Sequence, residues 1–257
     1  MQFTQAIVRK PSENFADGLT TVDLGAPVFD KAMVQHTRYC EALERCGLTL
    51  TVLDADERYP DSCFVEDVAV IAGNCCILTR PGAQRRAGEV VSLQPTLAQF
   101  FQVLPTIKVP GTLDGGDVCE AATHCFIGIS DRTNEAGASQ LADFLSRLGF
   151  TSSCVDIRGM IGILHLKSGV AYLGDNTLVI IDALAQHPAF RGYRLIRVAA
   201  EEDYAANCVR VNDYLLIAAG FPKLQASMTA EGYRVLPLEM SEFQKMDGGL
   251  SCLSLRF

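Results

Sequence analysis

The chain has 257 residues, 49% of them hydrophobic and 20% charged, so a sizeable core is expected and disorder is excluded. A net charge of −8 argues against nucleic acid and anionic membranes as partners and fits a cationic ligand. No apolar run reaches the ~18 residues of a membrane span, the opening lacks a basic start and apolar stretch, and the ten cysteines form no C-x-x-C or zinc-spaced set, so a soluble, cytoplasmic protein with free thiols is expected.

In chain order the first element is a strand, FTQAIVRKP, followed by a helix over KAMVQHTRYCEALERCG. Met33, Thr37, Cys40 and Leu43 share one face of that helix, which closes at Gly47. The strand LTLTVLD and the loop DADERYPDSCFVED come next. DVAVIAGNCCILTRPG then reads as a hairpin broken at Gly73-Asn74, with a short helix at PTLAQFFQ, a strand at VLPTIKVP and the loop GTLDGGD. A second hairpin, DVCEAATHCFIGISDR, breaks at Thr123-His124. Its helix puts Ala138, Leu141, Leu145 and Leu148 on one face and closes at Gly149, before the strand SSCVDIR and the loop GMIGILHLKSG. GVAYLGDNTLVIIDAL breaks at Asp175-Asn176, and its helix, near AQHPAF, is the faintest. YRLIRVA, the loop EEDYAANC and the hairpin NCVRVNDYLLIAAGFP, broken at Asn212-Asp213, lead to a helix around KLQASMTAEG and a strand at YRVLPLE. After the loop SEFQKMDGGLSC the chain ends on SCLSLRF.

Hairpin, helix, strand is therefore a unit that recurs about five times. The last segment is the partner that completes the first hairpin, which predicts a ring in which the C-terminus pairs with the N-terminus. The alternative is an open α/β sheet. No linker or low-complexity run marks a boundary, so 1–257 is expected to fold as one domain.

In a ring of repeats the loops between units converge on one axis. They carry Asp61, Glu66 and Asp67; Asp114 and Asp117; His165; Asn207; and Cys252. Each has an ordinary reading as well. Cys252 reads as a small core residue, or as a nucleophile delivered by the bend at Gly248-Gly249. His165, between apolar neighbours, is either a satisfied core group or the one imidazole of the loop set; His36, His124 and His187 are structural or exposed. Asp54, Asp56 and Glu57 belong to a solvated turn, whereas Glu66 and Asp67 enter an apolar run, where a buried carboxylate needs a partner. Asp114 and Asp117 flank two glycines, as a plain turn or as functional acids. Arg80, Arg85, Arg86 and Arg132 follow hairpins. They are surface groups unless the ligand carries a carboxylate, which a guanidinium holds in bidentate fashion.

PDSCFVEDVAV, TRPGAQRR, LDGGD, SDRTNEAGA, LHLKSG, YAANC and DGGLSCLSLRF together resemble the dimethylarginine dimethylaminohydrolases, in order and over nearly the whole chain. That family belongs to the guanidine-modifying, or pentein, superfamily of five-bladed α/β-propellers. The resemblance implies hydrolysis of dimethylarginine and monomethylarginine to citrulline and an alkylamine, through a covalent cysteine intermediate and without a cofactor or metal. It makes Cys252 the nucleophile, His165 the general acid/base and Asp114, where some bacterial relatives carry glutamate, the partner of the histidine. It further implies that Asp61, Glu66 and Asp67 bind substrate and that Arg86 and Arg132 hold its carboxylate, with Arg85 one residue from Arg86. Leu19 would be a lid contact, and Met246 would offer a backbone carbonyl to the α-amino group. The expected partner is a small methylated arginine. A homodimer is compatible with the sequence, which leaves oligomeric state open. The rivals are an arginine or agmatine deiminase, which releases ammonia, and a non-catalytic binder of arginine-like ligands.

Overall fold

The chain alternates strands and helices in the order β1 (Gln5–Arg9), α1 (Phe29–Arg45), β2 (Thr49–Leu53), β3 (Ala69–Ala72), β4 (Cys75–Leu78) and α2 (Glu89–Leu97). It continues with β5 (Val118–Ala121), β6 (His124–Ile129), α3 (Glu135–Arg147), β7 (Thr151–Asp156), β8 (Val170–Gly174), β9 (Thr177–Ile180) and β10 (Arg194–Arg197). The last elements are β11 (Val209–Val211), β12 (Tyr214–Ala218), α4 (Pro222–Ala230), β13 (Arg234–Leu238), α5 (Ser241–Gln244) and β14 (Leu255–Arg256). This computed structural model describes residues 2–102 and 104–257.

The strands form five small sheets arranged around a centre: β14-β1-β2, β3-β4, β5-β6-β7, β8-β9-β10 and β11-β12-β13. In the three-stranded sheets the middle strand is antiparallel to the first and parallel to the third, the pairing that hairpin, helix, strand dictates. β14 pairs with β1 through Ala6–Arg256 and Ile7–Leu255, so the ends of the chain share a sheet. The first strands of the hairpins are innermost: β5 contacts β8, β8 contacts β11 and β14 contacts β3.

Among the described residues the core is divided into four clusters. Buried apolar side chains fill wedges between neighbouring sheets. One wedge joins Val70 and Ile77 to Leu113, Ile127 and Leu141; another joins Val8 and Leu43 to Leu216 and Phe243. A small sheet buries too little surface alone, and each is stabilised by the next.

Most predicted turns fall where expected. Asp175 and Asn176 both take positive φ (49° and 55°), as a tight two-residue hairpin requires. The second hairpin differs. It turns at Ala122-Thr123, with Ala122 at φ 59°, and His124 begins β6, where its ring bonds Thr151 and Ser153. The helix expected at PTLAQFFQ lies earlier, over Glu89–Leu97, because Val90, Leu93 and Leu97 make the buried stripe; Pro95 sits exposed inside it. The strand expected over VLPTIKVP begins at Val103, which lies outside the described residues, and reduces to one parallel bridge, Leu78 to Thr106. The face of α1 is rotated from the expected one: Ala32, Gln35, His36, Tyr39, Ala42 and Leu43 are buried, whereas Thr37 is exposed. Tyr39 decides this, since its hydroxyl donates to the Leu250 carbonyl (2.9 Å) beneath the C-terminal loop. Near AQHPAF only a 3-10 turn, Pro188–Phe190, forms.

Candidate active site

The residues ahead of the inner strands come from equivalent loops. Asp67 precedes β3, Asp114 and Asp117 precede β5, His165 precedes β8, Asn207 precedes β11 and Cys252 precedes β14. A narrow cavity at this end of the ring is lined by Leu19, Asp61, Asp67, Arg86, Arg132, His165, Met246 and Cys252, among others.

Most of the polar side chains here are held by short-range bonds. The His165 ring sets Nε2 3.0 Å from Asp114 Oδ2 and Nδ1 3.9 Å from Asp67 Oδ1. Asp114 has no exposed surface, and its other oxygen accepts the Gly82 N–H (2.8 Å). The shorter aspartate therefore reaches the imidazole directly. Asp117 does not enter the cavity. It accepts the Leu166 N–H (2.9 Å) and the Ser130 hydroxyl (2.6 Å), which pins the loop that carries His165. Burial raises the pKa of Asp117.

Burial works against a charge on His165, but Asp67, Asp114 and Asp117 outweigh it and raise the imidazole to about 9. Burial likewise disfavours the Asp67 carboxylate, yet the His165 and Arg86 charges pull it down to about 2. Cys252 is 8% exposed, and its sulfur accepts from the Gly249 N–H (3.4 Å). Burial first, then the negative charges of Glu66 and Asp67, push its thiol up to about 12. Without a ligand the pair is thus imidazolium and neutral thiol at neutral pH.

The two expected carboxylate-holding arginines differ. Arg86 is buried, with its donors turned on the protein: Asp67 Oδ2 (2.5 Å), Glu89 Oε1 and Oε2 (3.0 and 2.8 Å) and the carbonyls of Asp61 and Phe64. Arg85 is exposed and points to the Asp17 carbonyl. Arg132 lines the cavity, and no ion-pair partner for its guanidinium occurs among the described residues. Asp61 accepts the Leu19 N–H (3.0 Å), and a Cβ on Gly18 would lie 2.5 Å from Asp61 Oδ1, so glycine lets the segment lie this close. Thr20 and Thr21 fasten the same segment to the Lys245 carbonyl and the Asp247 carboxylate beside Met246.

Glu66 is not brought into this cavity. Its carboxylate turns the other way, to Lys167 Nζ (2.6 Å) and the Ser251 hydroxyl (2.7 Å). Both residues lie in the 3-10 turn Val65–Val68, where successive side chains point about 120° apart, so Asp67 and Glu66 face different sides. Asp67, Asp114 and His165 present three possible metal-ligand atoms within 4.8 Å of one another, and here Asp67 Oδ2 bonds Arg86 while Asp114 Oδ2 bonds His165 Nε2. Sequence reasoning passed over Ser251 and Lys167. Their only signal was nearness in sequence, Ser251 next to Cys252 and Lys167 two residues beyond His165.

No family model matches the chain. It is 41% identical to N(G),N(G)-dimethylarginine dimethylaminohydrolase of Pseudomonas aeruginosa, over 99% of this chain and 100% of that protein. It is 33% identical to the protein of the same name from Streptomyces coelicolor, over 100% of this chain and 98% of that one. Among solved structures, a Cys-to-Ser mutant of the Pseudomonas aeruginosa enzyme complexed with citrulline superposes with a TM-score of 0.97 at 40% identity, each chain covered in full.

Proposed function

From the premise that the chain belongs to the dimethylarginine dimethylaminohydrolase family, we propose how its own residues hydrolyse Nω,Nω-dimethyl-L-arginine, and the monomethyl compound, to L-citrulline and the alkylamine. The observation that carries this reading is that one thiol, one imidazole and a buried carboxylate line one narrow cavity.

The substrate is a cation at one end and a zwitterion at the other. Asp67 holds the guanidinium, and Arg86 keeps Asp67 ionised and oriented. Asp61 stands at the cavity wall with Leu19 drawn over the ligand as a lid. Arg132, whose guanidinium has no ion-pair partner among the described residues, takes the substrate carboxylate. The Met246 carbonyl accepts from the α-amino group. Glu66 acts from behind, through Ser251.

A guanidinium carbon is a poor electrophile, so the thiolate is needed. His165 already carries a proton and cannot remove one from Cys252. The arriving substrate cation offsets the acids that keep the thiol neutral, and the thiol proton passes to solvent. Cys252 Sγ then bonds to the guanidinium carbon. The His165 imidazolium gives its proton to the departing nitrogen, the C–N bond breaks, and an S-thiouronium remains. The neutral imidazole next takes a proton from water; the oxygen adds to the same carbon, and the C–S bond breaks to release citrulline. Asp114 fixes the ring for both transfers. No step calls for a cofactor, and the chemistry suits a cytoplasmic enzyme.

The test is turnover. The wild-type chain should release dimethylamine from dimethylarginine in preference to ammonia from arginine. Cys252→Ser should bind the substrate and give no citrulline. Faster ammonia release would assign a deiminase instead, and substantial turnover by the serine variant would remove Cys252 from its role.

A further inference from the structure

Asn207 stands before β11 at the place that Asp67, Asp114, His165 and Cys252 hold before their own strands, yet no step above uses it. Its buried carboxamide makes three bonds. Nδ2 donates to the Lys167 carbonyl (2.9 Å) and to Ser251 Oγ (3.0 Å), and Oδ1 accepts the Ser251 N–H (2.9 Å). Lys167 lies two residues beyond His165, and Ser251 immediately precedes Cys252. The Ser251 hydroxyl passes the connection on to Glu66 Oε2 (2.7 Å), and Lys167 Nζ closes the circuit on Glu66 Oε1 (2.6 Å).

These four residues form the wall of a second cavity, of about 450 Å³, toward the hairpin-turn end of the ring. Their chain neighbours Asp67, His165 and Cys252 line the first cavity. The partition between the two is therefore one residue thick, and a closed circuit of polar bonds lies in it. The fit is tight: a Cβ on Gly249 would lie 2.5 Å from Asn207 Cγ. The charges that act on the Cys252 sulfur are those of Glu66, Asp67 and Lys167, and the circuit holds Glu66 and Lys167 together.

We propose that Asn207 is a positioning residue: its carboxamide ties the loop of Cys252 to the loop of His165 and sets the spacing of sulfur and imidazole. This rests on the reading that Cys252 is the nucleophile and His165 the proton carrier. A misplacement of about 1 Å is enough to cost on the order of 100-fold in rate.

The experiment uses the full chain with Asn207→Ala, Asn207→Asp and Ser251→Ala. It reads steady-state kinetics on dimethylarginine, thermal unfolding, and alkylation of Cys252 by iodoacetamide across pH, followed by peptide mass spectrometry. Asn207→Ala should lower kcat on the order of 100-fold and leave KM unchanged, because the side chains that grip the substrate stay in place. It should also move the alkylation midpoint of Cys252 down toward an ordinary thiol, near ~8.5, since the loosened sulfur loses burial. Ser251→Ala, which keeps the backbone bond to Asn207, should move both readouts the same way but less far. Asn207→Asp, which keeps the acceptor and gives up both donations, should lower kcat with KM unchanged. If Asn207→Ala does not fold, these two variants carry the test. Folded variants with wild-type kcat and midpoint would overturn the proposal, and so would a fall in thermal stability with both values unchanged. The alkylation arm is independent of the substrate: a wild-type chain inactive on dimethylarginine would sink the functional reading while a midpoint shift still upheld Asn207.

Discussion

His165 keeps a charge where burial alone would remove it, because three carboxylates surround it. Its pKa is raised from 6.5 to about 9, so its stabilisation is complete below pH 6.5 and is lost as pH rises through about 9. Asp67 runs the other way. Lowered from 3.8 to about 2, it contributes fully above pH 3.8 and loses its contribution as pH falls through about 2. Asp67→Asn should therefore bring the His165 midpoint down toward 6.5 in an NMR titration. A midpoint that stayed near 9 would show that Asp114 and Asp117 suffice. The same pair limits the backbone beside it. A Cβ on Gly116 would lie 2.6 Å from His165 Nδ1 and 2.8 Å from Asp67 Oδ1. Gly116→Ala should push the two apart and lower kcat on the order of 100-fold, with circular dichroism unchanged. At this scale the sequence carried much of the site, because loop phase assigns residues without side-chain directions. It did not reveal that Glu66 faces away from Asp67, or that Arg86 is taken up by Asp67 and Glu89 while Arg132 has no ion-pair partner among the described residues.

Among the elements, the hairpins were the most legible, since two polar residues between two apolar runs leave little choice of turn. Helices were less so. For α2 the proline misled: Pro95 suits the first turn of a helix, but here it is interior, and the stripe of Val90, Leu93 and Leu97 sets the boundaries. Pro95 cannot donate to the Val91 carbonyl one turn back. Pro95→Ala should stabilise the protein by about 2 kcal/mol, the helix-interior penalty of ~3 less the lost restraint on the unfolded chain. Thermal unfolding measures this, and turnover should not change, because Pro95 is exposed and lies outside the cavity. In α1, apolar periodicity offered Met33 and Thr37, whereas the packing chose Gln35, His36 and Tyr39. Gln35 bonds Ser241 and Glu242, and Tyr39 bonds Leu250 and Ser254, all more than 200 positions away. No local pattern can encode such partners.

For the molecule as a whole, closure is the device that delivers Cys252. The tail is held by the β14–β1 pairing, by the Phe257 carbonyl accepting from Thr4 and Gln5 (2.9 and 2.8 Å), and by Phe257 against Phe100 and Phe101. Deleting Leu255–Phe257 should cost about 1.5–3 kcal/mol for the buried Leu255 alone. It should also abolish turnover, because Cys252 would then lie at a frayed end. A truncated chain with wild-type citrulline output would show that the ring need not close to place the thiol.

By itself the sequence determined the repeat, most of its turns, the closing strand and the loops that form the candidate site, because these depend on local alternation, turn residues and order along the chain. The tertiary structure alone decided which way each side chain in those loops points. That choice depends on distant partners: Lys167 and Ser251 draw Glu66 backward, Asp67 and Glu89 occupy Arg86, and Asn207 joins two loops that approach only when the ring is complete. Bonds of that kind form between residues far apart in the chain, and no spacing within it records them.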